Sequence, residues 1–169
     1  MNKITDLSRF GEGLQLNEIV KAEIFRGHRG YYTEQADETL CVNDLIVTAG
    51  RNWLAYRIGP AVNSPMAWMA IGSGATGAAL GDTALVREIS RKSCATNTAG
   101  ISASNIYTAV ATWGGAADTV QSIAIAEAGI FNHVASGQGT MFQRVTFAPV
   151  TLADSDLLKI TLETNVGSS

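Results

Sequence analysis

The sequence contains one motif with a recognisable chemical use, the glycine-rich run at residues 72–77, Gly-Ser-Gly-Ala-Thr-Gly. It matches the GxGxxG pattern of dinucleotide-binding loops and follows a predicted strand at 66–71. Such loops need a helix opening on the third glycine, so that the helix N-terminus and bare backbone meet the pyrophosphate. Here Gly81 and Asp82 interrupt any helix after one turn, and Glu88 is the only acid near the ribose position. The run therefore predicts a flexible or tightly turning glycine loop, and no nucleotide cofactor.

A second candidate for chemistry is a carboxylate placed among apolar residues. One face of a predicted strand consists of Ile123, Ile125, Glu127, Gly129 and Phe131. An unpaired charge in such surroundings would be costly. We therefore predict that Glu127 pairs with a guanidinium in a structural role. The candidate partners are Arg144 across the following hairpin and Arg87 or Arg91 before the strand.

The remaining reactive residue types form no catalytic or metal-binding pattern. His28 and His133 both fall in predicted turns, outside any GxSxG or HExxH setting. The pair Asp37-Glu38 is adjacent in sequence, which does not by itself predict a catalytic carboxylate pair. Cys41 and Cys94 lack CxxC spacing and nearby histidines. We expect no enzyme, no cofactor and no metal site.

The composition favours a protein that packs against other subunits. Charged residues are 16% of the 169 residues, against about 25% in typical soluble domains. Interface cores are depleted of lysine and glutamate, so a low charge content is typical of a protein buried in an assembly. A plain monomer is the alternative. The net charge of −3 gives no basic field for nucleic acid.

No membrane segment is predicted. A long charge-free stretch, residues 58–81, is broken by two prolines and five glycines, which a bilayer-spanning helix tolerates poorly. The first residues, 1–6, lack the apolar run of a secretory signal, as expected of a cytoplasmic product.

Alternating apolar and polar residues predict a mainly β fold. Strands are predicted at 19–26, 66–71, 106–113, 122–132, 140–147 and 156–164. Val20, Ala22 and Ile24 share one face of the first strand. The last is the clearest, with Leu158, Ile160 and Leu162 on one face. Residues 133–139 connect two of the strands as a hairpin loop, and residues 83–93 fit a helix or a strand.

One short helix is predicted near 44–58, capped by Asn43 or Thr48 and ended by Gly59-Pro60. Its apolar side consists of Ala49, Trp53 and Tyr56. Core packing is expected for Trp53, Trp68 and Trp113, since each lies in a periodic segment. These elements predict one domain over 19–169 preceded by an N-terminal arm over 1–18. The fold class is an antiparallel β-sandwich or sandwich-like barrel with one helical insertion.

Several blocks of sequence, taken in order, carry a family resemblance. They are residues 45–57, 69–76 with 81–88, 127–132 with 139–147, and 149–162. Together they resemble a family of tailed-bacteriophage structural proteins, over roughly residues 40–163 of the chain. The residues that stand out in these blocks are Gly50, Arg51, Trp53, Gly72, Gly74, Asp82, Glu127, Gly129, Phe131, Asn132, Arg144 and Phe147. Tyr56 and His133 depart from the family pattern.

The resemblance implies a virion component with a β-sandwich fold and no catalytic residues. Such proteins occur in tail-fibre and baseplate regions and as small proteins attached to the head. Long fibres usually carry repeats or a coiled-coil stalk, and this chain has neither. We therefore expect a capsid cement or decoration protein that bridges capsid subunits and stabilises the head.

The alternative is a small tail or baseplate component that binds the host surface or connects fibre to tail, which exposed Tyr31 and Tyr32 would favour. A virion enzyme or nucleotide-binding protein is the least favoured class. The expected partners are the major capsid protein or other virion proteins. Either assembly role fits a homo-oligomer, and threefold capsid points and fibre axes both fit a trimer.

Overall fold

The computed structural model describes residues 14–27, 35–58, 64–96, 106–114 and 118–168. Most of the predicted arm, together with His28 and the pair Tyr31-Tyr32, lies outside these ranges. The described strands are β1 Leu14–Phe25, β2 Glu38–Asn43, β3 Leu45–Ile46, β4 Trp68–Gly72, β5 Glu88–Ser93, β6 Ala95–Thr96, β7 Ile106–Gly114, β8 Ala124–Phe131, β9 Met141–Thr151 and β10 Leu157–Ser168. The described helix is α1, Thr48–Ile58.

The strands form two antiparallel sheets that face each other. The first sheet has the order β2-β1-β10-β7-β6, and the second has the order β3-β9-β8-β4-β5. At the centre of the first sheet, Ile160 of β10 pairs with Ala22 of β1 on one side and Ala111 of β7 on the other. The predicted mainly β fold with one short helix is confirmed.

Two short chain segments join the sheets at their edges. β2 and β3 belong to different sheets but are separated only by Asp44. β5 and β6 are likewise separated only by Cys94. Strands that bend from one sheet into the other form the corners of sandwich-like barrels. Each sheet therefore ends in a strand that continues directly into the other sheet.

The main core lies between the sheets. The predicted inward faces are confirmed, because Val20, Ala22 and Ile24 of β1 and Leu158, Ile160 and Leu162 of β10 are fully buried. The second sheet contributes Met69, Ile71, Ile130 and Val145. Trp113 is also fully buried, and its Nε1 donates to Ser90 Oγ at 3.1 Å. Trp53 and Trp68 are only half-buried and pack at the margins of the core.

Several predicted boundaries differ from the structure. β1 begins at Leu14, and its first residues pair with the end of β10, from Leu14 with Ser168 to Glu18 with Thr164. Residues 14–18, predicted as part of the arm, therefore belong to the sheet. The open segment 83–93 is loop up to residue 87 and strand from Glu88.

The helix also differs from its prediction. It begins at Thr48 because Leu45 and Ile46 pair with β9 as a strand. Tyr56, predicted on its apolar side, is 62% exposed. Gly50 is the residue buried against β9, since a Cβ there would overlap the carbonyl oxygen of Phe142. Over the described residues, no helix has the length and apolar character needed to cross a membrane.

Candidate interaction site

Residues 73–87 form a loop that connects β4 to β5, and we call it the 73–87 loop. Side chains alternate across a strand, so Ala70 lies on the opposite face of β4 from the core residues Met69 and Ile71. On that outer face Ala70 packs with Leu85 of the loop and with Phe131 of β8. The loop therefore covers a second, smaller apolar cluster on the outside of the second sheet.

β8 places Glu127 beneath this loop. Ala128 and Ile130 point into the main core, whereas Gly129 lies against Leu85 on the outer face. The predicted common face of Ile125 and Glu127 is wrong, because Ile125 belongs to the main core. The pairing of β8 with β9 is irregular between these two residues, and this irregularity moves Glu127 to the outer face.

The Glu127 carboxylate is fully buried and holds both ends of the loop. Its Oε1 accepts hydrogen bonds from the backbone N–H of Gly74 at 2.9 Å and of Arg87 at 2.8 Å. Its Oε2 accepts from the N–H of Val86 at 3.0 Å and from Arg144 Nε at 2.9 Å. The Glu127 oxygens are thus engaged by backbone donors and a guanidinium, which satisfies a buried charge.

Arg144 of β9, which is 1% exposed, holds the middle of the loop. Its Nη1 donates to Asp82 Oδ2 at 2.8 Å, and its Nη2 donates to the carbonyl oxygen of Thr76 at 2.8 Å. Asp82 Oδ2 also accepts from the N–H of Ala79 at 2.8 Å. We call Glu127, Arg144 and Asp82 the ion network. It fixes the loop near both ends and at two points between them.

The charge on Asp82 is stabilised within this network. Burial alone would raise the pKa of its carboxyl group. The hydrogen bond from Ala79 and the hydrogen bond and positive charge of Arg144 outweigh burial and lower the pKa. Asp82 is therefore ionised at neutral pH, and Arg144 lies between two carboxylates.

The glycines of the GxGxxG run make room for this network. A Cβ at Gly72 or Gly74 would lie 2.5 Å from Glu127 Oε1, closer than atoms can approach. A Cβ at Gly77, the third glycine, would meet nothing within 4 Å. A Cβ would also lie 2.5 Å from the Arg87 carbonyl oxygen at Gly72 and 2.5 Å from Val86 Cβ at Gly74, so close packing within the chain accounts for two of the three glycines.

Arg91 and Arg87, the other predicted partners of Glu127, have different positions. Arg91 pairs with Glu88 through two contacts of 2.8 Å, and its guanidinium lies 3.8 Å from the centre of the Phe131 ring. It also donates to the carbonyl oxygen of His133 at 2.8 Å, which ties down the β8–β9 hairpin. Arg87 reaches Glu127 only through its backbone N–H, and its side chain is exposed.

The hairpin residues His133 and Asn132 organise their own turn. The exposed His133 accepts a hydrogen bond at Nδ1 from the N–H of Ala135 at 3.1 Å. Asn132 Oδ1 accepts from the N–H of Thr140 at 2.6 Å. Gly139 has a positive φ of 83°, a backbone conformation that favours glycine. These residues shape a loop and are not arranged as a catalytic group.

The other predicted residues lie away from the network. Arg51 donates from Nε to the carbonyl oxygen of Ile46 at 3.2 Å, and Trp53 contacts the Phe142 ring edge to face at 5.9 Å. Both connect α1 to the second sheet, and Phe147 is in the main core. Asp37 and Glu38 both bind Arg26. Asp37 accepts from the backbone N–H of Arg26 at 2.7 Å, and Glu38 accepts from its guanidinium at 2.9 Å.

Several features were missed in the sequence. Asp82 was noted in a resemblance block, but its pairing with Arg144 was not predicted. Nor did any pattern indicate that Asp44 would be half-buried in the bend between β2 and β3. For the pairing of Asp82 with Arg144, the only available signal was that a buried arginine requires more than one acceptor. Within the described ranges, no group of three or more histidine, cysteine or acidic residues could hold a metal ion.

The surface of the 73–87 loop carries two exposed apolar side chains. Leu80 is 48% exposed and Val86 is 59% exposed, although the backbone of both residues is fixed. The carbonyl oxygen of Leu80 accepts from the N–H of Thr48 at 2.8 Å, and the N–H of Val86 binds Glu127. A rigid loop thus presents apolar groups to solvent.

Searches for related proteins returned no matching family, no matching curated protein and no matching solved structure. The geometry of the 73–87 loop and its ion network is therefore the main basis for a functional proposal.

Proposed function

We propose that this protein is a structural subunit that works by binding other protein subunits, with the 73–87 loop in its contact surface. The observation that carries this proposal is the burial of the ion network beneath an exposed loop. Loops of this length without regular structure are usually functional or disordered. In this one, the buried pair Glu127–Arg144 binds the loop backbone near both ends and in the middle.

A fixed loop is suited to binding because ordering a mobile loop at an interface costs free energy, and a preorganised loop avoids that cost. Leu80 and Val86 supply apolar groups for the contact. The carboxylates of Glu127 and Asp82 are occupied by donors from the loop and Arg144. Their engagement supports a structural role for the acids, in keeping with a protein that is not an enzyme.

We further propose that the assembly is a bacteriophage particle. The resemblance to virion structural proteins supports this, and the low charge content supports burial in an assembly. The preferred role is a capsid cement or decoration protein that binds the major capsid protein and adds interface area between capsid subunits. The protein would be made in the bacterial cytoplasm and act in the virion.

The copy number per purified particle tests this role. Quantitative mass spectrometry against the major capsid protein should give a value close to that of the capsid protein. A copy number far below it would instead support the tail or baseplate role. Absence from purified particles would contradict both.

Charged substitutions in the loop test the contact surface itself. Leu80→Asp combined with Val86→Asp should leave the melting temperature nearly unchanged, because both side chains are exposed. The same variant should lose incorporation into particles, since a buried unpaired charge opposes binding. Val134→Asp is the matched control, being 54% exposed in the β8–β9 hairpin loop. Equal incorporation of the double variant and the wild type would exclude this loop from the interface.

A further inference from the structure

A groove lies at the base of the 73–87 loop, where the second sheet is incomplete. β8 pairs with β9 as far as Ala124, which lies opposite Thr151. Its other neighbour, β4, ends earlier, where Gly72 lies opposite Glu127. Among the described residues, the start of β8 therefore pairs with a strand on one side only, and its first residue, Ala124, is exposed.

The groove has a volume of about 420 Å³. Its lining residues are Ser73, Arg87, Ile89, Ser122, Ile123 and Ala124. Apolar side chains, two serine residues and one cation thus share one open depression. Ser122 has a φ of +61°, and for a residue other than glycine this conformation is uncommon and often found at binding sites.

Arg87 is the charged residue of the groove, and its side chain is exposed. Its guanidinium makes no hydrogen bond or ion pair with the residues that the structure describes. Each of the other described lysines and arginines contacts an acid, a carbonyl oxygen or an aromatic ring. These residues are Lys21, Arg26, Arg51, Arg57, Arg91, Lys92, Arg144 and Lys159. Arg87 is therefore the described cation that is available to an external partner.

We propose that this groove binds an extended segment of a partner protein through an aspartate or glutamate side chain that pairs with Arg87. A guanidinium binds a carboxylate through two parallel hydrogen bonds. The accessible backbone lies just before and at the start of β8, from Ser122 to Ala124, and extended chain can lie against it, as in other sites where a peptide lies along a strand. Ile89 and Ile123 accommodate apolar neighbours of the acid. This inference rests on the proposed function, because it specifies the chemistry of the partner subunit.

The binding test uses the isolated full chain and a defined probe. The probe is the capped peptide acetyl-Thr-Val-Glu-Val-Thr-amide, and its matched control has glutamine in place of glutamate. Nitrogen-15 NMR should show saturable shifts of the Arg87 side-chain N–H and of the Ser73 and Ala124 amides. The glutamine peptide should bind about tenfold more weakly, because it lacks the charge.

Two variants locate the site. Arg87→Gln should lose the preference for the glutamate peptide, whereas Arg57→Gln, which removes an exposed cation on α1, should retain it. Added salt should weaken binding of the glutamate peptide. The proposal would be overturned by equal affinity for both peptides, by unchanged binding to the Arg87 variant, or by shifts that do not saturate below about 10 mM.

Inorganic phosphate alone is the remaining control. The same saturable shifts with phosphate would show a simple anion site and would contradict a peptide-binding groove. Because the titration involves no particle, its failure would leave the virion proposal standing. Absence of the protein from particles would likewise leave the peptide result intact.

Discussion

Glu127 and Arg144 are both buried, so each needs the other for its charge to be tolerated. Removing one member of a buried ion pair leaves an uncompensated charge, which is more damaging than replacing both. Arg144 has a further role, because it also neutralises Asp82 and binds two loop carbonyl oxygens. Its loss should therefore affect both stability and loop order.

We predict that Arg144→Met lowers the free energy of unfolding by about 3–5 kcal/mol. Urea unfolding of the variant and the wild type measures this change. Arg57→Met is the control, since Arg57 is an exposed cation on α1, and it should have little effect. Hydrogen exchange at the Gly74 and Val86 amides should also become faster in the Arg144 variant. A loss below about 1 kcal/mol would mean that the network does not stabilise the fold.

Asp44 is a half-buried acid, and it lies in the bend from β2 to β3. Burial raises the pKa of its carboxyl group to about 7, although the N–H of Leu45 opposes this. Its Oδ2 and the Nε2 of the neighbouring Gln143 are buried and have no hydrogen bond of normal geometry within the described ranges, and the Gln143 side chain is the smallest of the influences on the Asp44 pKa. Across the core, Gln143 Oε1 accepts from Thr164 Oγ1 at 3.1 Å, so this polar group connects the two sheets.

The raised pKa predicts a pH dependence of stability. Between 3.8 and about 7 the folded chain keeps a proton on Asp44 that the unfolded chain releases. The contribution of this group is therefore fully present below that window and lost as the pH rises through it. Asp44→Asn should remove this part of the pH dependence and stabilise the protein at about pH 8 by on the order of 2 kcal/mol.

Thermal unfolding of both proteins at about pH 5 and about pH 8 measures the Asp44 effect. The difference between wild type and variant should be smaller at the lower pH, which already lies within this window, and largest at the higher one. If the difference between them is the same at both pH values, Asp44 titrates normally in the folded state.

At the scale of the element, α1 depends on one glycine for its contact with the second sheet. Alanine is ordinarily a better helix former than glycine by about 1 kcal/mol. At position 50, however, an added Cβ would overlap the backbone carbonyl of Phe142, and backbone cannot move aside as a side chain can.

We therefore predict that Gly50→Ala destabilises the protein by about 1–3 kcal/mol, because the helix must shift away from β9. The melting temperature should fall. Asn52→Ala, at an exposed position of the same helix, should raise it slightly. A stabilising effect of Gly50→Ala would show that α1 can move without cost.

The elements differ in how well the sequence predicts them. The strands β7, β9 and β10 were predicted because alternation is a local property, visible in runs such as Leu158, Ile160 and Leu162. The two-residue strands β3 and β6 have no such pattern, since they exist only through pairing with β9 and β7. The irregular pairing beside Glu127 was missed for the same reason, because it depends on β9.

The ion network was predictable only in part. A carboxylate among apolar residues requires a cation, and the nearest one across the hairpin was Arg144. The donors from Gly74, Val86 and Arg87 could not be predicted, because they come from backbone N–H groups distant in sequence. Backbone groups carry no residue-specific signal, so the path of the loop had to be known first.

At the scale of the whole molecule, the two sheets of the described part of the chain are joined at both edges, through Asp44 and through Cys94. Exposed strand edges invite unplanned pairing between chains, and bends between sheets reduce that exposure. Assembly would then depend on particular surfaces such as the 73–87 loop.

We expect a defined homo-oligomer, with a trimer as the first expectation. Sedimentation velocity of the purified chain over a range of concentrations should give a mass three times the 17.8 kDa of one chain. A mass equal to one chain at every concentration would contradict self-assembly in solution.

The ion network holds the 73–87 loop mainly through backbone atoms, the N–H groups of Gly74, Val86 and Arg87 and the carbonyl oxygens of Thr76 and Gly77. The exposed side chains of Thr83, Leu80 and Val86 make none of these hydrogen bonds. These three residues can therefore be substituted during evolution while the backbone of the loop keeps its shape. Selection for a new partner could change these positions without loss of the fold, because the ion network that holds the loop does not depend on their side chains.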